Sequence, residues 1–228
     1  MTDSRLSGVV RALGRTAGTA LPRSVVALLR RERDGLRAIA SLVRGRKDVP
    51  AGATAIPCGS AQKTFLVVMM VLGPVELVLV DLLVPWPWLR VVLLVLAVYS
   101  TVWMLAFYAG VHTRPHYVDD DRLVVRLGHL VSVSVDVGSV RAVRRENHDR
   151  YTGAEYRGLV TVTDDFVAVP GMSGTTVTVV LEPATPVTVQ GRGTVRVAGI
   201  RFDADALDAA VTAIGERVRE GGEQCRES

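Results

Sequence analysis

The stretch FLVVMMVLGPVELVLVDLLV, residues 65–84, decides the class of this chain. Its twenty residues include two acids and no basic residue, and twenty helical residues at about 1.5 Å each cross about 30 Å of hydrocarbon. A second apolar stretch, LRVVLLVLAVYSTVWMLAFYAG, occupies residues 89–110, with Arg90 as its only charge. The sequence PWPW at 85–88 is typical of a tight turn at a membrane surface. We therefore expect a transmembrane hairpin of two α-helices over residues 65–110.

The basic residues around these stretches indicate the orientation of the hairpin. Lys63 and an arginine-rich leader precede the first stretch, and Arg114, Arg122 and Arg126 follow the second, whereas the turn has only Arg90 nearby. Cytoplasmic segments carry the excess of Lys and Arg. We therefore expect a cell-membrane protein with two spans and both termini in the cytoplasm. A cleavable signal peptide is a poor alternative, because 64 residues precede the first stretch.

Glu76 falls near the middle of the first span. An ionised carboxylate there costs roughly 2.5 to 3.5 kcal/mol on insertion scales. In an antiparallel hairpin it lies level with Tyr99, Ser100 and Thr101, which are its candidate hydrogen-bond partners. Two interpretations follow. Glu76 is a structural residue that fixes hairpin or dimer packing, or it handles protons or cations in an oligomer, since two spans alone cannot line a transport path.

Residues 1–64 form a basic leader and linker. An amphipathic pattern from Val25 to Val43 has four arginines opposite its apolar stripe, namely Arg30, Arg33, Arg37 and Arg44. A basic amphipathic helix ahead of a cytoplasmic span is typical of contact with the anionic inner leaflet. A solvated helix, or one packed on the C-terminal domain, is the alternative. No motif accompanies these charges that would indicate nucleic-acid binding. Val49 to Ala61 is predicted as a linker.

Composition limits the remaining possibilities. The chain has 228 residues, of which 49% are hydrophobic and 22% charged, with a net charge of +4, so it is neither disordered nor collagen-like. Only Lys47 and Lys63 are lysines among the 27 basic residues. The two cysteines, Cys58 and Cys225, fit neither a disulfide framework nor a CxxC motif.

The pattern changes to alternation after His112, over the predicted C-terminal domain at residues 111–220. About seven short valine-rich strands are separated by turn signals such as Gly128-His129. The predicted strands are 122–127, 130–135, 140–143, 159–162, 177–181, 187–189 and 195–200. A final amphipathic helix with an acidic start carries Leu207, Val211, Ile214 and Val218. This predicts an α+β domain, a β-barrel or sandwich capped by a C-terminal helix, with a polar tail at 221–228.

The C-terminal domain resembles a known family. The segments that carry the resemblance are His116-Tyr117-Val118, residues 123–128, residues 133–135, Val140-x-x-Val143, and Gly199 to Phe202 with the acidic helix start. Together they look like the bacterial PH-like domain, and the chain from Phe65 is similar to uncharacterised bacterial two-span membrane proteins that carry it. The resemblance implies a seven-stranded barrel used as a scaffold or interaction module. It implies no phosphoinositide site, since the Gly128-His129 hairpin has no Lys and Arg cluster.

Motifs for catalysis or metal binding do not assemble in the sequence. His112 and His116 have HxxxH spacing, but Pro115 interrupts the helix that would align them and no third ligand is near. Gly171 to Thr175 departs from the GxSxG pattern at its last position. Asp119-Asp120-Asp121 fits a hairpin turn better than a calcium loop. We therefore expect no enzyme, no metal and no cofactor.

A basic and aromatic segment of the C-terminal domain is the candidate partner surface. It comprises Arg144, Arg145, His148, Arg150, Tyr151, Tyr156 and Arg157. The favoured hypothesis is a membrane-anchored, non-enzymatic scaffold that presents the PH-like domain at the cytoplasmic face for a protein partner. The alternative is an oligomeric transport or conduit accessory that uses Glu76.

Overall fold

The computed structural model describes residues 23–149, 158–172 and 174–227 of the chain. Two compact units are distinguished, Met1–Arg33 and Asp34–Ser228. Helix α1, Arg23–Val43, begins in the first unit and ends in the second. The amphipathic leader predicted from the sequence is thus helical over the residues that are described.

Two apolar helices follow, as the hydropathy predicts. Helix α2 spans Ser60–Leu83 and helix α3 spans Pro87–Thr113. Both are long and apolar enough to cross a membrane by length and composition, and they pack against each other. Pro87 begins α3, where its missing N–H removes no helical hydrogen bond. Pro74 lies inside α2 at the Gly73-Pro74 pair.

The turn between the two helices is held by Arg90. Its Nε donates to the carbonyl oxygen of Val84 at 2.6 Å, and its Nη1 lies 3.2 Å from Oδ1 of Asp81. The last carbonyls of a helix have no partner inside the helix, so Arg90 satisfies one at the end of α2. Both side chains of the ion pair are largely solvent-exposed, so its Coulomb energy contributes under about 1 kcal/mol.

Nine strands are found in the described residues, one before the hairpin and eight after it. They are β1 (Thr54–Ile56), β2 (His116–Val118), β3 (Arg122–Leu127), β4 (Val131–Asp136), β5 (Val140–Asp149), β6 (Thr161–Val162), β7 (Phe166–Val169), β8 (Gly174–Val189) and β9 (Gly193–Phe202). The strand order is β1-β2-β3-β4-β8-β9-β7-β6, with β5 paired to β8 outside it. Only the β7–β9 pair is parallel.

The structure differs from the predicted strands at several places: β1, β2 and β7 were not predicted, β5 is longer than expected, and two predicted strands are joined in β8. The sequence suggested two strands separated by a turn at Glu182 to Pro186, whereas β8 continues through this segment as one strand. The turn-forming residues produce a shift in the β8–β9 register between Val180 and Thr185, with Ala184 at φ 57°. A β-bulge accommodates such residues without ending the strand, and it bends the strand.

The sheet is open, and β8 pairs with different strands along its length. The first half of β8 pairs with β5, but near its end it pairs with β4 at Val133 and Ser134. Strands β1 and β6 lie at opposite ends of the order and do not pair with each other in the part of the chain that is described. The closed seven-stranded barrel is therefore not confirmed. The coarser prediction, two apolar helices followed by a mostly β domain and a C-terminal helix, is confirmed.

Alternating valines build the core of the β domain. The inward residues of β3 and β4, such as Leu123, Val125 and Val133, are fully buried, as period-two patterning requires. Helix α4, Leu207–Glu227, covers this core with Ala210 and Ile214. The helix continues through the segment predicted as a polar tail. Strand β1, which lies within the predicted linker, pairs with β2 and buries Ile56.

Helix α2 begins without a side-chain cap of its own, because the residue before it is Gly59 at φ 73°. Asp205, from the loop before α4, takes this role. Its two carboxylate oxygens lie 2.9 and 3.1 Å from the Ser60 N–H, and its own N–H donates to the Pro57 carbonyl at 3.0 Å. A carboxylate at a helix N-terminus satisfies a free donor and complements the helix dipole. Asp205 therefore joins the first apolar helix to the β domain.

Removal of the Asp205 carboxylate should weaken this junction. We expect Asp205→Ala to lower the free energy of unfolding by about 1 kcal/mol, the usual cost of losing a helix cap. Asp205→Asn keeps an acceptor oxygen and should cost less. Denaturant unfolding of the detergent-solubilised protein measures both, with Glu216→Ala, an exposed carboxylate of α4, as the control. An Asp205→Ala protein as stable as the control variant contradicts the capping role.

Candidate functional site

In the described end of the leader helix α1, small residues are buried and some large apolar residues are exposed. Small residues make its buried contact, since Gly35 and Ala38 are buried and a Cβ built on Gly35 would lie 3.1 Å from the Cβ of Ala106 on α3. Leu36 and Val43 point outward, at 59% and 82% exposed, whereas Ile39 and Leu42 are half-buried. An exposed apolar row on a basic helix is typical of a helix that lies on a lipid surface.

The four predicted membrane-surface arginines are exposed. Arg30 and Arg33 belong to the first unit, and Arg37 and Arg44 to the second. Arg37 lies 3.6 Å from Asp34, and that pair is partly open to solvent. Such a pair contributes little, so the charge of Arg37 is still available to an anionic surface.

Glu76 lies on the outside of the hairpin. Its side chain is exposed and makes no hydrogen bond or ion pair within the described residues. Two of its predicted partners are engaged elsewhere, because the hydroxyls of Ser100 and Thr101 both donate to the carbonyl of Ala97, at 3.0 and 2.8 Å. Tyr99 is 55% exposed. The structure therefore places these four polar residues on the apolar helices without joining Glu76 to the others.

The candidate partner surface is described only in part. Arg144, Arg145 and His148 lie on β5, while Arg150, Tyr151, Tyr156 and Arg157 are outside the described residues. Arg145 is 2.6 Å from Asp208 of α4, and Arg144 is 3.8 Å from Glu146. Strand β5 pairs with β8 along one edge, and no described strand pairs with its other edge. The surface is thus a charged, ten-residue edge strand.

An acidic turn precedes β3, as predicted for Asp119 to Asp121. The Asp119 carboxylate accepts hydrogen bonds from the N–H groups of Asp121 and Arg122, at 3.0 and 2.6 Å, which is an Asx turn. Asp120 pairs with Arg217 of α4. An open cleft of about 560 Å³ lies beside the turn. In the described ranges, no three His, Cys, Asp or Glu side chains are placed to hold a metal ion.

A buried polar junction beneath α2 was missed in the sequence. His116 of β2 is buried, its Nδ1 accepts the Arg126 N–H at 2.9 Å, and its Nε2 donates to the Asp203 carbonyl at 2.9 Å. The ring is therefore neutral with its proton on Nε2. Burial lowers the pKa of His116 to about 4. His112 and His116 do not form a metal-binding pair, because His112 is exposed and both ring nitrogens of His116 are hydrogen-bonded.

Cys58 and Gln62 complete this junction. The Cys58 thiol is buried, and burial raises its pKa to about 11, while a hydrogen bond from the His116 backbone acts in the opposite direction. Burial also raises the pKa of Asp203. Cys58, His116, Asp203 and Gln62 line a cavity of about 10 Å³, which is the space that one water needs. A protonated thiol beside an imidazole with no free nitrogen suits a structural contact rather than nucleophilic chemistry.

The junction makes stability depend on pH through His116. Its pKa is lower in the folded protein than the unfolded value of 6.5, so its contribution is fully present above pH 6.5 and is lost as the pH falls toward 4. The shift corresponds to about 2 kcal/mol lost between pH 8 and pH 5. Asp203 acts in the opposite direction, because its raised pKa makes protonation favour the folded state.

We expect His116→Gln to flatten this pH dependence. The comparison is the free energy of unfolding at pH 8, 6.5 and 5 for wild type and variant, so that the Asp203 contribution is common to both. The variant should be less stable at pH 8 and approach wild type at pH 5. His148→Gln is the control, because His148 is a half-buried histidine on β5. Parallel curves for wild type and His116→Gln would contradict the assignment.

Comparison of the chain with protein-family models, with curated proteins and with solved structures gives no match. The resemblance to the bacterial PH-like domain therefore stays a prediction.

Proposed function

We propose that this protein is a membrane-anchored, non-enzymatic scaffold whose β domain recruits a protein partner at the cytoplasmic face. The observation that carries the proposal is the exposure of the hairpin. Only 6% of the most apolar window of each helix is buried, whereas the core helix of a soluble protein buries most of such a surface. Lipid is the solvent that covers two predominantly apolar helices at the least free-energy cost.

The charges at the two ends of the hairpin support the proposed orientation. Arg90 at the turn is paired with Asp81, which leaves little net charge there. The opposite end carries Lys63, Arg114 and Arg126. A hairpin with its basic end retained inside the cell has both termini in the cytoplasm. The β domain, which follows Thr113, is then cytoplasmic.

The leader helix supports a second contact with the membrane. Leu36 and Val43 are exposed beside Arg37 and Arg44. Anionic lipids attract each surface cation by about 1 kcal/mol, and apolar side chains enter the headgroup boundary. We propose that α1 lies on the inner leaflet and keeps the β domain close to the bilayer. Kinship with the bacterial PH-like domain is part of the same proposal, supported by the C-terminal helix packed on the core of the sheet.

Strand β5 is the proposed site for the protein partner. An exposed strand edge offers unpaired backbone groups to which an extended peptide can add. The arginines on β5 favour an acidic peptide, since the 3.8 Å pair of Arg144 with Glu146 is weak and exposed. Charged residues also protect an edge against random aggregation, so Arg144 and its neighbours supply selectivity as well as attraction.

Photo-cross-linking in cells tests orientation and partner surface together. With p-benzoylphenylalanine at position 144, we expect an adduct of defined mass with a cytoplasmic protein. The same group at position 201, a half-buried residue of β9 that is paired with β7 on one edge and with β8 on the other, should give none. Alkaline extraction of the membranes should leave the protein in the pellet. Equal adducts at both positions, adducts with envelope proteins, or release by alkali would each contradict the proposal.

The exposed Glu76 favours one alternative, an oligomeric transport or conduit accessory. Glu76 lies in a row of exposed residues at alternating spacings of four and three, Leu72, Glu76, Leu79 and Leu83. This is the spacing of a helix–helix seam, in which one polar residue specifies the partner. A second copy would give each Glu76 a carboxyl partner, which a single hairpin does not supply.

Oxidative cross-linking in membranes tests this alternative. In a Cys225→Ser background, Leu79→Cys should form a disulfide-linked dimer, and Val78→Cys, at similar depth on another face, should not. Adding Glu76→Leu should reduce the Leu79→Cys dimer several-fold, whereas Glu76→Gln, whose amide can exchange hydrogen bonds, should retain it. A transport role also requires that Glu76→Gln abolish a proton- or cation-dependent phenotype. Equal cross-linking at positions 78 and 79 would rule out the seam.

A further inference from the structure

We infer that the base of the hairpin holds a binding site for a phosphate group, and that anionic phospholipid headgroups supply it. A pocket of about 110 Å³ lies where α2 and α3 meet the segment around β1. It is several times larger than the roughly 10 to 15 Å³ that one water needs. The inference rests on the proposed membrane function for the source of the phosphate, but not for the site itself.

The two lysines of the chain converge on this pocket. Lys47 and Lys63 both line it, together with His112. Every other basic residue of the protein apart from histidine is an arginine. Neither lysine side chain has a hydrogen bond or an ion pair with any described residue. Two lysines that line one cavity, with no carboxylate in its lining, favour the binding of an anion.

The nearby acidic residues are committed elsewhere. Asp48, next to Lys47, lies 3.2 Å from Arg114 and 3.5 Å from Arg126. The Asp205 carboxylate accepts the Ser60 N–H. The charges that face the pocket are therefore positive, and no described carboxylate is among its lining residues.

The position of Lys63 points to an anion as well. It lies in the first turn of α2, where the helix dipole is unfavourable for a cation and favourable for an anion. The Asp205 carboxylate at the Ser60 N–H offsets part of this conflict, and a phosphate beside Lys63 adds to the offset. The ammonium groups act as point charges that follow a headgroup without the fixed geometry that a guanidinium demands.

The position of the pocket at the end of the hairpin favours lipid headgroups as the source of the phosphate. Val111 and His112 of α3 and Lys63 of α2 belong to the end of the hairpin where the apolar stretches stop, and His112 is exposed. In the proposed orientation this end lies at the headgroup level of the cytoplasmic leaflet, where anionic lipids attract basic groups. A free phosphate ion shares the same chemistry, and the two sources are separated by experiment.

Because the chain has only two lysines, amine acylation followed by mass spectrometry reports on the site directly. The full chain is placed in nanodiscs of phosphatidylcholine with or without phosphatidylglycerol. We expect acylation of Lys47 and Lys63 to slow at least about fivefold with phosphatidylglycerol. In phosphatidylcholine alone, inorganic phosphate at millimolar concentration should protect little. Protection by inorganic phosphate equal to that by phosphatidylglycerol would support the site but overturn the lipid as its source.

Two variants separate a built site from general surface charge. Lys63→Gln should remove most of the protection of Lys47 against acylation, because the phosphate loses one of its two ligands. Arg46→Gln removes an exposed charge next to Lys47 that does not line the pocket, and it should leave the protection unchanged. Equal effects of the two variants, or no protection by either phosphate source, would overturn the site. Release of the wild-type protein from membranes by alkaline extraction would overturn the proposed membrane anchor. In that case, the protection that inorganic phosphate gives Lys47 and Lys63 against acylation would still test the phosphate site.

Discussion

The attachment of the first apolar helix to the β domain depends on the Asp205 carboxylate. It satisfies the Ser60 N–H across 145 residues of sequence, and the Asp205 N–H returns a hydrogen bond to Pro57. Gly59 cannot cap the helix itself, so the cap comes from the loop before α4. The start of α2 is thereby fixed against the sheet. Cys58, Gln62 and Lys63 lie within a few residues of this contact, so it helps to position both the buried junction and the lysine pocket.

The features that could be predicted from the sequence are those that one segment determines alone. Long apolar runs define α2 and α3, and alternation with the Gly128-His129 turn defines β3 and β4. Strand β1 was missed because three residues have no pattern of their own and become a strand only by pairing with β2. The division of β8 was wrong for the opposite reason. Glu182 to Pro186 has the composition of a turn, but the pairing of β8 with β9 on both sides of this segment carries the strand through it as a bulge.

The candidate sites, too, could be predicted only where one segment of the sequence determines them. Glu76 and the leader arginines stand out in sequence because a charge in an apolar or amphipathic run is visible locally. The junction around His116 was invisible, because Cys58, His116 and Asp203 are far apart in the chain and only the fold brings them together. The lysine pocket left one trace in the composition. A chain that uses arginine almost throughout retains lysine at two positions, and those positions line one cavity.

The arginines and lysines at the base of the hairpin have different tasks. Arg114 and Arg126 both reach Asp48, Arg126 also donates to the Asp48 carbonyl at 3.0 Å, and its guanidinium lies 4.6 Å from the Tyr117 ring centre. These contacts use the planar, multiply donating guanidinium to bind the segment after α1 to α3 and β3. Exchange of these arginines for lysine would remove several donors at once.

Lys47 and Lys63 have no such internal contacts, so they contribute charge rather than geometry. Because internal pairing consumes the nearby carboxylates, the uncompensated positive charge collects where the apolar helices end. In the proposed membrane orientation these cations lie at the headgroup level, where they would meet lipid phosphates instead of hydrocarbon.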